Sequence, residues 1–89
     1  MYRLRIGKAV KRNVDHLPGH LRQRVRRLIS ALADDPRPSE AKELRGLANR
    51  YRIVVDGWRV IYRLDEERQE VVILAVRRKS GPETYEDVE

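Results

Sequence analysis

The sequence predicts a small single-domain α+β fold in the order β-α-α-β-β-β. An N-terminal helical hairpin packs on one face of a twisted, mainly antiparallel four-stranded sheet. Three observations predict this arrangement. The chain opens on an alternating strand and then shifts to helical spacing. Asp56-Gly57 sits between two runs rich in β-branched and aromatic residues, the pattern of a two-residue hairpin turn. Finally, Val71–Val76 is a nearly continuous apolar run, as expected of a central strand covered on both faces.

Taken in order, Tyr2-Arg3-Leu4-Arg5-Ile6 alternates apolar and polar residues like a half-buried first strand. From Lys8 the period changes: Val10, Val14 and Leu17 line one face of a short helix that ends before Pro18-Gly19. Leu21, Val25, Leu28, Ile29 and Leu32 then mark an amphipathic helix from about Gly19 to Asp34, with Arg22, Arg24, Arg26 and Arg27 on its far face. Asp35-Pro36-Arg37-Pro38 stops it, because the residue before a proline avoids helical geometry. Ser39–Glu43 can open a short turn of helix in the link that follows. Tyr51 to Val55 and Trp58 to Leu64 are the hairpin strands, and Asp65 to Gln69 is the polar turn before the last strand.

At 89 residues the chain is one domain, residues 1–89. A chain of this size buries roughly 60–65% of its unfolded surface, so its core is thin. There is no cysteine, hence neither a disulfide nor a thiolate metal site. No apolar run approaches the ~20 residues of a membrane span, and the N-terminus lacks an apolar signal core. A cytoplasmic location, no membrane and no cofactor are expected. The 20 Lys and Arg, 16 of them arginine, all lie within residues 1–79, alongside ten of the 14 acids, a local net charge of +10. Residues 80–89 form an acidic tail with Glu83, Glu86, Asp87 and Glu89. Clustered cations favour a phosphate backbone through counterion release, or an acidic protein partner.

The hairpin concentrates this charge, with Arg50, Arg52, Arg59 and Arg63 among its strand residues. Arginine on a sheet costs packing unless that face meets water or an anion, and guanidinium matches phosphate geometry. The sheet face opposite the helices is therefore expected to carry the arginines. His16 and His20 flank the turn between the helices and read as surface residues. Asp56, Asp65, Glu66 and Glu67 have no metal-ligand spacing, so no metal site is expected. Trp58 and Tyr62 are either base-stacking or core aromatics.

Several pieces together resemble the RelE/ParE toxins of type II toxin–antitoxin systems. They are the leading strand, Leu17-Pro18 between the helices, Pro36 after the second helix, Leu44-Arg45-Gly46, Tyr51-Arg52-Ile53, Gly57-Trp58-Arg59-Val60-Ile61-Tyr62, and a last strand ending in Arg77-Arg78-Lys79 with Tyr85 downstream. The likeness spans roughly residues 2 to 85. It implies a toxin held inactive by a cognate antitoxin, here an acidic amphipathic segment covering the arginines. Members of the RelE branch are metal-independent ribonucleases that cut mRNA in the ribosomal A site, whereas the ParE branch shares the fold and poisons DNA gyrase.

By this resemblance the catalytic candidates are Arg59, Arg78, Lys79 and Tyr85. Ribose 2′-OH attack on the adjacent phosphate needs a base, cations for the phosphorane and an acid for the leaving oxygen. Arg59 matches the family's strand arginine and can fork onto two phosphate oxygens, unless it pairs with Asp56 across the turn. A basic residue of the terminal cluster assists, Lys79 or Arg78 according to register. Tyr85 matches an acid/base tyrosine that needs cationic neighbours to ionise near neutrality. Arg45, Arg50, Arg52 and Arg77 are the RNA-binding candidates. Val54 departs from the best-studied RelE type, which carries a second lysine there. The expected function is thus a RelE-like endoribonuclease that inhibits translation. The alternatives are a gyrase-inhibiting ParE-like toxin or an inactive basic binding module.

Overall fold

The computed structural model describes residues 1–78. Seven elements follow one another: β1 (Arg3–Ile6), α1 (Lys8–Asp15), α2 (Gly19–Ala31), β2 (Lys42–Glu43), β3 (Arg50–Val55), β4 (Trp58–Asp65) and β5 (Glu70–Arg78). The strands form one mixed sheet in the order β1-β5-β4-β3-β2. Only the β1–β5 pairing is parallel, since a helical hairpin separates β1 from the rest and carries the chain across the sheet.

The predicted class holds, with five strands instead of four. Lys42–Glu43, expected as the end of a helical turn, is instead a two-residue strand against Arg52 and Tyr51. The helical start at Ser39–Glu43 is overridden because pairing with β3 satisfies backbone groups that one isolated turn would leave open. β1 also differs from its expected half-burial. All four of its residues are exposed, because β1 is an edge strand that the helices cover poorly. α2 stops at Ala31, short of Asp34, and the chain turns through residues 32–34 instead.

The hairpin turn is as the sequence predicts. Asp56 and Gly57 both take positive φ, 49° and 78°, the geometry that matches a two-residue turn to the right-handed twist of β3 and β4. The core lies between helices and sheet. Val14, Leu17, Leu21, Val25, Ile29 and Leu32 meet Tyr51, Ile53, Val60, Tyr62, Leu64, Val71, Ile73 and Val76. Burying one such side chain is worth about 1.5–3 kcal/mol. No described helix is long and apolar enough to cross a membrane.

At one end of this core Tyr62 is fully buried, its ring stacked on Tyr51 with centroids 5.6 Å apart. Its hydroxyl donates to the Pro36 carbonyl at 2.7 Å. Burial, with Tyr51 next in effect, holds its phenol above the usual tyrosine range. Arg37 donates from Nε to the Tyr51 hydroxyl at 2.9 Å and from Nη2 to Glu66, which also accepts from Tyr2. These donors, Tyr2 first and Arg37 second, hold the Glu66 carboxyl below its ordinary value. Arg37 therefore ties the segment after α2 to the β4–β5 turn.

Candidate functional site

Strand alternation fixes what the sheet shows away from the helices. Tyr51, Tyr62 and Ile73 share one row on the core side, so the rows on either side of it face outward. The first outward row is Val54, Arg59 and Arg77. The second is Lys42, Arg52, Ile61 and Ala75. The third is Arg50, Arg63, Val72 and Arg5. The carboxylates that the strands add to this face, Asp65 and Glu70, lie at the end farthest from Arg59. There Glu70 pairs with Arg5 at 3.4 Å.

The outer face is not one continuous basic plate. Leu44, Ile61 and Ala75 are buried together, with Leu47 and Leu74 packed against them. The segment from Leu44 to Leu47 therefore folds over the middle row. It turns at Gly46, whose φ of 77° suits glycine, and Leu47 N–H donates back to the Leu44 carbonyl. This clamp separates Arg59 and Arg77 on one side from Arg50 and Arg63 on the other. It also places Arg45 at the rim of an open groove of about 460 Å³. The sequence carries the signal for it, two leucines flanking Arg45-Gly46, yet the motif was legible there only as a resemblance.

Arg59 stands out among the described residues as the charged side chain that is buried, at 5% exposure. Its Nε and Nη1 are withdrawn from the surface. A guanidinium stays protonated wherever it sits, so burial fixes it as a permanent, oriented cation. The alternative of an Arg59–Asp56 pair is not what forms. Asp56 pairs with Arg24 of α2 at 2.5 Å. Arg77 lies directly across from Arg59, and two guanidiniums side by side on one face can engage two oxygens of one phosphorane or two successive phosphates.

The other candidates divide. Arg52 is half-buried in the middle row beside Lys42. Arg50 lies beyond the clamp, opposite Arg63. Arg78 stands in the next row, opposite Trp58, and so on the helix side of the sheet from Arg59. Lys79, Tyr85 and the acidic tail lie outside the described residues. Tyr62 is core, whereas Trp58 is half-buried, packing on the core at the sheet's end. The sequence reads His16 as a surface residue at the turn between the helices. In the fold, His16 and Arg12 line one groove with Trp58, Arg77 and Arg78.

Comparison with known proteins agrees with this architecture. Residues 3–81 match the family described as "ParE toxin of type II toxin-antitoxin system, parDE". No curated protein matches. Among solved structures, the isolated E. coli RelE toxin superposes with a TM-score of 0.80 at 22% identity, covering 96% of this chain and 92% of that one. The toxin in the archaeal RelE-RelB complex from Pyrococcus horikoshii OT3 gives 0.80 at 26% identity, with 91% and 98% covered. The toxin-antitoxin complex RelBE2 from Mycobacterium tuberculosis gives 0.72 at 29% identity, with 88% and 98% covered.

Proposed function

The chain belongs to the ParE toxin family of type II toxin–antitoxin systems, and we propose that it acts as a RelE-like, metal-independent endoribonuclease on mRNA. The observation that carries this reading is Arg59, buried and oriented, with Arg77 directly across the strand pair. A buried guanidinium that is always charged and held on the outer face suits a preorganised anion site.

In the reaction a ribose 2′-oxygen attacks the adjacent phosphorus, and the bond to the 5′-oxygen of the next nucleotide breaks. The products are a 2′,3′-cyclic phosphate and a free 5′-hydroxyl. Arg59 and Arg77 stabilise the negative charge that grows on the phosphorane oxygens. Each such donor is worth roughly 10²–10³ in rate at comparable oxyanion sites. Tyr85, assisted by Lys79, is assigned the proton transfers. Arg45, Arg50 and Arg52 bind flanking phosphates and set the strand's path around the clamp. mRNA presented in the ribosomal A site is the substrate.

An antitoxin partner follows from the same surface. The P. horikoshii and M. tuberculosis relatives were solved as complexes with their antitoxins. An acidic amphipathic segment complements the outer face here and shields Arg59.

A second reading has its own support. The matching family is described by ParE, and Val54 presents an apolar, 39% exposed side chain directly opposite Arg59. A gyrase-inhibiting toxin needs no second cation at that place. Purified protein added to ribosomes programmed with mRNA separates the two. The nuclease reading expects cleavage that Arg59→Ala abolishes. Intact mRNA together with blocked DNA supercoiling by gyrase would replace it with the second reading.

A further inference from the structure

The end of the sheet beyond Arg59 holds a second cluster, of which the outer-face chemistry uses Arg77 alone. There α1 ends over the start of β4 and the end of β5, leaving a groove of about 510 Å³. Its apolar floor is Leu17 and Val76, both buried, and Trp58 forms a wall while packing on the core. Arg12 and His16 enter from α1, and Arg78 enters from β5. Arg77 also lines the groove, so this groove and the Arg59 site share an edge.

Three features distinguish it from a merely solvated basic surface. First, among the described residues the nearby acids are engaged elsewhere. Asp15, next to His16 in the chain, pairs with Arg26 at 2.6 Å, and Asp56, next to the β4 start, pairs with Arg24. Among the described residues neither Arg12 nor Arg78 is in an ion pair. Second, the His16 ring is set. Its Nδ1 lies 2.7 Å from the Arg12 carbonyl, and a carbonyl oxygen only accepts, so Nδ1 carries the proton and Nε2 is left to a ligand. Third, the macrodipole of α1 accounts for a cation in its C-terminal turn, Arg12, but not for Arg78 and Trp58 from distant strands. Gathered cations beside an aromatic wall and an apolar floor suit a ligand that is anionic at one end and planar at the other.

We propose that this groove is a nucleotide subsite: Trp58 stacks on the base while Arg12 and Arg78 hold its phosphate and His16 Nε2 hydrogen-bonds the nucleotide. The inference rests on the reading of the protein as an RNA-handling toxin, and it seats the nucleotide that flanks the one at Arg59. Arg77, at the shared edge, bridges the two.

Trp58 is the sole tryptophan of the chain, so its fluorescence reports this groove directly. The full-length protein is titrated with adenosine monophosphate, with inorganic phosphate, and with a short single-stranded RNA bearing 2′-O-methyl sugars that cannot be cleaved. Expected is saturable quenching by the nucleotide and the RNA and none by phosphate alone. Arg12→Ala and Arg78→Ala each weaken it at least tenfold, with unchanged circular dichroism, and Arg27→Ala, on the exposed side of α2, leaves it intact. No quenching in the wild type, equal response to phosphate and nucleotide, or quenching indifferent to Arg12→Ala and Arg78→Ala would overturn the subsite. The readout needs no catalysis. Quenching without mRNA cleavage therefore sinks the nuclease reading and keeps the groove, and cleavage without quenching does the reverse.

Discussion

Tyr62→Phe tests whether the aromatic pair under the sheet is structural, and the change removes one oxygen. Tyr62 is fully buried, stacked on Tyr51, and its hydroxyl donates to the Pro36 carbonyl at 2.7 Å. Phenylalanine keeps the ring and leaves that carbonyl without this donor. Losing a buried neutral hydrogen bond costs about 1–2 kcal/mol. For a domain of this size, each kcal/mol shifts Tm by roughly 4–8 °C, so a drop of about 5–15 °C is expected in thermal unfolding.

A second signature follows from protonation. The folded Tyr62 phenol titrates above its unfolded value near 10, because burial opposes the phenolate. Above that pH the unfolded chain holds fewer protons than the folded one, so stability falls as pH rises. The contribution is fully present below about pH 10 and declines by at most about 1.4 kcal/mol per pH unit above it. Urea unfolding at pH 8 and pH 11 should therefore show wild type losing more stability than Tyr62→Phe over that interval. Equal Tm for the two proteins, or parallel losses at high pH, would refute the assignment of Tyr62 to the core.

Other substitutions probe the remaining parts of the account. Glu66→Gln removes a carboxylate held below its ordinary value by Tyr2 and Arg37. Its stabilising effect is present above the unfolded carboxyl pKa and is lost as pH falls through the lower folded value, so the variant should show a flatter acid-unfolding profile. Gly57→Ala forces a side chain into φ 78° and should cost about 1 kcal/mol or more in urea unfolding, without altering antitoxin affinity by titration calorimetry. Val54→Lys places a second cation opposite Arg59 at a 39% exposed position, so the nuclease reading expects faster mRNA cleavage at little cost in stability. Unchanged or slower cleavage would argue against Val54 bordering the reacting phosphate.

Much of the fold was legible because each element has its own local signal. The helices announce themselves by apolar spacing, and the β3–β4 turn by Asp56-Gly57, whose positive φ values few other pairs accept. The two-residue β2 was not legible. Ser39–Glu43 carries helix-compatible residues, and only pairing with Arg52 and Tyr51, across the sheet, decides its state. The exposure of β1 was hidden for a similar reason, since alternation reports that a strand has two faces but not that it lies at a sheet edge.

The candidate site was readable in composition more than in geometry. Arginine recurrence in the hairpin pointed to a basic face, and strand alternation fixed which arginines share it. The division between Arg77 and Arg78 rests on register, because neighbours in a strand point to opposite sides. The Leu44–Leu47 clamp depends on tertiary packing over Ile61 and Ala75, and the burial of Arg59 likewise has no local pattern in the chain. The groove at His16 joins residues more than 40 positions apart, which no local pattern reveals.

The most direct test of the central claim is inducible expression of wild type and Arg59→Ala followed by mapping of mRNA 5′ ends. The account predicts growth arrest with new ends inside translated codons, both lost in Arg59→Ala while the variant still folds and binds its antitoxin. Arrest with intact mRNA, or cleavage that persists in Arg59→Ala, would contradict it.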